Sequence, residues 1–173
     1  VAQSFRYSIF QVASIITTTG FATTDFGMWP MLSQILILLL MVVGACAGST
    51  GGGMKISRIM ILIKSAKSSV KKMVSLRSVS TINVEGKPVD KQVLDFAYSY
   101  FVVYALIFFA SVLLLSFENL DIVTTLTAPL TCLGNVGPGF GDLIGPVGNF
   151  ASLSNFSKIV LSFDMLAGRL ELF

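Results

Sequence analysis

Three long intervals without a single acidic or basic side chain constrain this chain more than any other feature. They run from 26 to 54, from 96 to 117 and from 122 to 141. Water-soluble domains carry about a quarter of their residues as charges. Here 12% are charged, 54% are hydrophobic and mean hydropathy is +0.82. A helix crossing the hydrocarbon core needs roughly 20 apolar residues. Residues 96–117 supply them and residues 31–47 nearly do, so the expected fold class is an all-α membrane protein. Both segments lie far inside the chain, which rules out a signal peptide.

The charges that remain are lopsided. Nine of the 12 Lys and Arg residues fall between Lys55 and Lys91, and the positive-inside rule places that segment in the cytoplasm. Asp25, Glu118, Asp121 and Asp142 then face the other side, where a mildly acidic mouth would concentrate cations. Histidine is absent, which removes most metal and catalytic-triad chemistry. Cys46 and Cys132 lack the spacing of a zinc or redox site. No catalytic residue, no covalently bound cofactor and no enzymatic activity are expected. The sequence opens without a Met, inside a helical pattern, and stops at Phe173 without a polar tail, so it reads as a fragment.

Two short apolar segments are more telling than the long ones. Residues 4–16 run into Thr17-Thr18-Thr19-Gly20-Phe21, and residues 121–133 run into Gly134-Asn135-Val136-Gly137-Pro138. Each segment is too short to span and fits a re-entrant helix. Irregular backbone at membrane depth is tolerated only where it is buried or lines a water-filled cavity. The two segments also look like copies of one unit. Placing Gly20 on Gly137, an offset of 117, puts Ser14 on Thr131. An offset of 124 then puts Ser33 on Ser157, Met41 on Met165 and Gly44 on Gly168, and the difference is a longer outer loop in the second copy. Each copy reads as re-entrant helix, turn, outer loop and inward helix, with residues 96–117 the outward helix that begins the second. The expected division is 1–64 for the first copy, 65–94 for a basic cytoplasmic linker and 95–173 for the second copy. Across the start of the linker, Lys64, Lys67 and Lys71 recur on one helical face, suited to anionic lipid headgroups or to a regulatory protein. Residues 79–89 predict a short hairpin around Glu85-Gly86.

Cation passage across hydrocarbon requires oxygens that replace hydration water, and backbone carbonyls can supply them. Glycine permits the angles that aim successive carbonyls at one axis, and a re-entrant helix would point its negative end there. Thr18, Thr19, Gly20 and Phe21, with Asn135, Val136, Gly137 and Pro138, are the candidate filter residues; the alternative is a pair of ordinary outer loops. The stretch Gly44-Ala-Cys-Ala-Gly48-Ser49-Thr50-Gly51-Gly52-Gly53-Met54-Lys55 cannot stay a regular helix, since each glycine costs about 1 kcal/mol. It is not a phosphate-binding loop, because Met54 separates Gly53 from Lys55 and Ile56 separates Lys55 from Ser57. A flexible break in a membrane helix is the better reading. Arg169 aligns with Ala45, where that break begins, and can face it across a pore or snorkel to the interface. Gly139-Phe140-Gly141-Asp142 spells the G-x-G-D of intramembrane aspartyl proteases. Asp164, the candidate second aspartate, follows that motif instead of preceding it, and Asp142 sits in an outer loop, which argues against such an enzyme.

At these residues the chain resembles the TrkH/TrkG branch of the Trk–Ktr–HKT potassium transporters. Residues 16–25 (ITTTGFATTD) resemble that family's third filter loop and residues 133–142 (LGNVGPGFGD) its fourth. Residues 44–55 (GACAGSTGGGMK) resemble its intramembrane gate loop, and residues 168–173 (GRLELF) its fourth inner helix. The resemblance implies four helix–pore loop–helix repeats around one pore, of which two are present here. It also implies K⁺ as the transported ion, a homodimer and a cytoplasmic, TrkA-like nucleotide-binding regulatory subunit. The expected location is the bacterial cytoplasmic (inner) membrane, as a multi-pass protein in contact with lipid and not with nucleic acid. Gly20 and Gly137 carry over as filter glycines, Gly48, Ser49, Thr50, Gly51, Gly52 and Gly53 as the gate, and Arg169 as its partner. Neither turn reads TVGYG, so discrimination against Na⁺ is expected to be modest.

The function expected is K⁺ uptake through a carbonyl-lined filter and a glycine-rich gate. The rivals are a proton- or sodium-coupled symporter on the same fold, with Asp164 as the coupling residue, and a non-conducting membrane scaffold whose basic helix recruits a cytoplasmic partner.

Overall fold

The computed structural model describes residues 2–44, 52–74, 83–84 and 87–170. Among the described residues six α-helices follow one another: α1 (Ala2–Ile16), α2 (Met31–Val43), α3 (Ile56–Val74), α4 (Lys91–Leu115), α5 (Ile122–Gly134) and α6 (Asn155–Arg169). A two-residue antiparallel pair, Asn83–Val84 with Lys87–Pro88, lies between α3 and α4. It falls within the hairpin expected over 79–89, of which residues 79–82, Glu85 and Gly86 lie outside the described residues.

Helix lengths separate the roles. At 1.5 Å per residue, the 25 residues of α4 reach about 37 Å, more than the roughly 30 Å of a hydrocarbon core. Among the described residues α4 and its 3-10 extension, Lys91–Glu118, form the one helix long and apolar enough to cross. Its outer face leaves Phe96, Leu106, Phe109 and Leu113 more than three-fifths exposed, as a lipid-facing surface does. The 15 residues of α1 and the 13 of α5 reach only about 20 Å. The near-span expected over 31–47 is shorter than foreseen. α2 stops at Val43 because Gly44 takes φ 65, a left-handed conformation that does not continue an α-helix. α3 is continuous across the expected boundary at 64/65.

Start signals are read locally. Asp121 caps α5 by accepting from the Thr124 amide at 2.9 Å, and Ser154 caps α6 by accepting from the Ser157 amide at 3.2 Å, each satisfying a donor that the first turn leaves unpaired. Glu118, expected on the side opposite the basic segment, lies at the end of α4 remote from Lys91 and is held there by hydrogen bonds. It accepts from the Ser154 amide at 2.6 Å and from the Ser157 hydroxyl, so it fastens the end of α4 to the start of α6.

Packing brings α5 against α6, α4 and α2, with α1 on α2 and α3 on α4. Ile15, Phe26, Ile37 and Met41 of the first copy form one core with Leu130, Val136 and Phe140 of the second. Phe26 and Phe140 meet edge to face at 5.0 Å, a favoured aromatic geometry. The two copies therefore share a core, and that core lies beside the two turns.

Candidate functional site

Each short helix ends in the same way, bond for bond. After α1 the Thr18 amide donates to Ile15 O at 3.1 Å and the Thr19 amide to Ser14 O at 2.8 Å. After α5 the Asn135 amide donates to Cys132 O at 3.1 Å and the Val136 amide to Thr131 O at 3.0 Å. These are the paired bonds of a left-handed helix terminus. Thr18 and Asn135 have φ 53 and 52, and Gly20 and Gly137 have φ 82 and 110. The Ser14 hydroxyl donates to Phe21 O at 2.6 Å, and the Thr131 hydroxyl to Pro138 O at 3.0 Å. All of these pairs stand at the offset of 117. The offset of 124 is equally literal downstream. Asp25 accepts from the Gly27 amide at 2.8 Å and Asn149 from the Ala151 amide at 3.0 Å, each opening a 3-10 turn just before the inward helix. Residues 139–148 carry the extra length.

The turns meet. A Cβ placed on Gly20 would collide with Val136 O, and one placed on Gly137 would lie 3.5 Å from the Gly20 Cα. Only glycine lets two backbones come this close. Thr18, Thr19, Gly20, Asn135, Val136 and Gly137 line one cavity of about 340 Å³, with Met165 of α6 on its wall. The C-terminal ends of α1 and α5 both lead into these turns, so the negative ends of two helix dipoles, roughly half a charge each, adjoin that cavity. Phe21 and Pro138 differ from the other candidates. Their carbonyls accept hydroxyl bonds from their own short helices, and the Phe21 ring is 72% exposed.

The glycine-rich stretch sits directly against the second turn. A Cβ on Gly52 would lie 2.7 Å from Asn135 Nδ2 and 2.9 Å from Gly134 O, and one on Gly53 would lie 3.6 Å from both Gly134 Cα and Gly44 Cα. A Cβ on Gly44 would be 3.0 Å from Gly52 O. The chain therefore leaves α2 at Gly44 and comes back to the same place at Gly52–Gly53. Gly48, Ser49, Thr50 and Gly51 belong to the excursion between and lie outside the described residues. Arg169 is the exposed last residue of α6. Its neighbour Gly168 abuts Leu133 O, and a Cβ there would come 3.0 Å from Asn135 Nδ2. Asn135 is thus the meeting point of turn, stem and inner helix, and its amide nitrogen donates to Met165 O at 3.2 Å.

Several of these roles are not visible in the sequence. Ser14 and Thr131 pair in the repeat, but nothing local says that their hydroxyls pin the far ends of the turns. Tyr100, one of many aromatics in α4, reaches Gly53 O at 3.3 Å. Asp164 is fully buried and accepts from the Ser111 hydroxyl at 2.7 Å, joining α6 to α4. Asp25, Asp121 and Asp142 border a cavity of about 520 Å³. Hydrogen bonding from Thr124, whose amide donates to it, holds the Asp121 carboxyl below the ordinary carboxylate range.

Comparison with known proteins agrees with this architecture. The family model described as "TrkH: Cation transport protein" matches residues 1–173. The Trk system potassium uptake protein TrkH of Vibrio parahaemolyticus is 39% identical over 98% of this chain and 34% of its own length. TrkH of Escherichia coli is 35% identical over 98% of the chain and 35% of its length, and TrkG of the same organism is 33% identical over 98% and 34%. The chain thus spans about a third of the curated relatives it matches. The crystal structure of the potassium transporter TrkH from Vibrio parahaemolyticus superposes with a TM-score of 0.89 at 38% identity, covering 99% of this chain and 36% of that one. With its whole length matched by the family model and its helices and turns by that structure, this chain is a member of the TrkH family of cation transport proteins.

Proposed function

We propose that this chain contributes two of the four repeats of a K⁺-conducting pore, with the turns at Thr18–Phe21 and Asn135–Pro138 as half of its selectivity filter. The observation that carries the reading is the contact between two turns of matching geometry at one cavity. A cation entering there would exchange part of its hydration shell for carbonyl oxygens, with the ends of α1 and α5 offsetting its charge. The acidic outer cavity would gather cations. Below the filter, the excursion between Gly44 and Gly52 would act as gate, with Arg169 facing it from α6. The division into a first copy (1–64), a basic cytoplasmic linker (65–94) and a second copy (95–173) belongs to this reading. So do a homodimeric assembly in the bacterial inner membrane and a nucleotide-binding regulatory subunit on the cytoplasmic side, where the lysines of α3 lie.

The test is growth of an uptake-deficient strain at low K⁺, using the full-length subunit that carries this sequence. Gly20→Val and Gly137→Val each force a side chain into the facing turn at a positive φ. Each is expected to abolish rescue while the protein still reaches the membrane. Growth undiminished in the double variant would end the filter assignment. Asp164 favours a second reading, proton-coupled symport, because it is a sealed carboxyl between α4 and α6. Under that reading an imposed pH gradient would drive K⁺ uptake, and Asp164→Asn would abolish the drive.

A further inference from the structure

The stem at Gly44 and Gly52–Gly53 is touched from the side by α4. Tyr100 is 6% exposed, and its hydroxyl donates to Gly53 O at 3.3 Å in a buried setting. That length is long for a hydroxyl bond. The Tyr100 ring is gripped on two sides. The Arg58 guanidinium lies 4.1 Å from its centroid, within cation–π range, and the Tyr104 ring stacks on it at 6.1 Å. Arg58 sits in the first turn of α3, which begins at Ile56, only a few residues after the stem. A second tie joins the same two helices further along, where the Ser65 and Tyr98 hydroxyls meet at 2.8 Å. α3 carries Lys64, Lys67 and Lys71, of which Lys67 and Lys71 are exposed. A shift of α3 along α4 would therefore drag Arg58 across Tyr100 and strain the bond to Gly53, whose backbone packs on the turn at Gly134.

We propose that Tyr100, clamped by Arg58, is a positioning residue that latches the stem of the excursion beneath the second filter turn, so that displacement of α3 is the motion that frees it. This rests on the gate reading above and adds to it the residues that set the closed state and the element that moves. Tyr100 touches no ion in this scheme; it acts through Gly53.

The experiment is K⁺ efflux from loaded liposomes containing the full-length subunit without any regulator. Tyr100→Phe removes the hydroxyl and keeps the ring. Arg58→Gln removes the cation and keeps the hydroxyl, and Arg58→Lys keeps a cation. Losing one hydrogen bond shifts a two-state equilibrium by about threefold to tenfold. Closed-state leak is accordingly expected to rise by that factor in Tyr100→Phe and in Arg58→Gln, with Arg58→Lys near wild type. The double variant should leak no more than the stronger single one, because both changes act on one ring. The K⁺/Na⁺ ratio and the folded yield should not move. Leak at the wild-type level in both well-folded single variants overturns the latch, as does a double variant whose effects multiply. A matching fall in yield and flux together, the mark of a purely structural role, overturns it too. If Tyr100→Phe does not fold, the contrast between Arg58→Gln and Arg58→Lys decides alone, and equal leak in the two overturns the proposal. A wild-type subunit without selective flux would remove the pore reading and the latch with it, whereas a conducting wild type with unresponsive variants removes the latch only.

Discussion

At φ 53 Thr18 holds a branched Cβ in the left-handed region, where an L-residue is strained by roughly 1–2 kcal/mol. Its counterpart Asn135 occupies the same conformation at φ 52 with a side chain that tolerates it. The two turns thus reach one geometry from residues of unequal comfort. Replacing Thr18 by Asn is expected to keep transport intact and to raise thermal stability by about 1 kcal/mol, read from the melting temperature in detergent. The reverse case is harsher. Asn135→Leu loses the bond to Met165 O and puts a bulkier group beside Gly52 and Gly168. A loss of about 1–3 kcal/mol is expected, with transport falling in parallel. If Asn135→Leu were as stable and active as the wild type, Asn135 would not be the joint between turn, stem and inner helix.

Among the elements, the short helices do more than fill space, because each fixes both ends of its own turn. The near end is the left-handed terminus, and the far end is the hydroxyl bond from Ser14 to Phe21 O or from Thr131 to Pro138 O. Ser14→Ala and Thr131→Val remove one such bond each, worth about 0.5–1.5 kcal/mol. Flux should survive while K⁺/Na⁺ selectivity declines, because a turn fixed at one end holds its carbonyls less tightly; reversal potentials would measure it. At the other end of α5 the cap depends on protonation. The folded Asp121 carboxyl titrates below its unfolded value, so its contribution is present above the ordinary carboxylate range and is lost as pH falls through the lowered folded value. Asp121→Ala should cost about 1 kcal/mol at neutral pH and progressively less in acid. A wild type and Asp121→Ala whose stability difference stayed constant from neutral to strongly acidic pH would contradict this.

For the whole molecule, the two copies share one core but bring only two turns to the cavity. Liposomes containing this chain alone are expected to show no K⁺ flux above that of empty liposomes, and the full-length subunit is expected to conduct. Selective flux from the chain alone would mean that two turns suffice, through self-assembly or otherwise, and would revise the four-repeat reading.

Much of this architecture was legible before any coordinate. Uncharged intervals are a local property, so they announce withdrawal from water wherever they occur, whether into lipid or, as along α5, into the protein's own core. Some helix ends are set as locally: Gly44, foreseen in a helix break, ends α2 through its own φ, whereas the caps at Asp121 and Ser154, whose oxygens satisfy amides three residues on, were not foreseen. The repeat was readable because both turns use the same local bonds, from residues fewer than ten apart. The limit of that reading is visible at Met31–Val43, where a run of apolar residues suggested a longer helix than the chain forms. Glu118 marks a second limit: its charge suggested a place opposite the basic segment, but not that its carboxylate fastens α6, whose capping residues lie more than 30 positions away. What only the tertiary structure decided is which separated pieces meet: Gly20 with Val136 O, Gly52 with Asn135, Tyr100 with Gly53, Ser111 with Asp164. These contacts follow from the way α4, α5 and α6 close on one another, and no local pattern encodes that closure, because the hydrophobic drive behind it is non-directional and steric fit alone selects the partner.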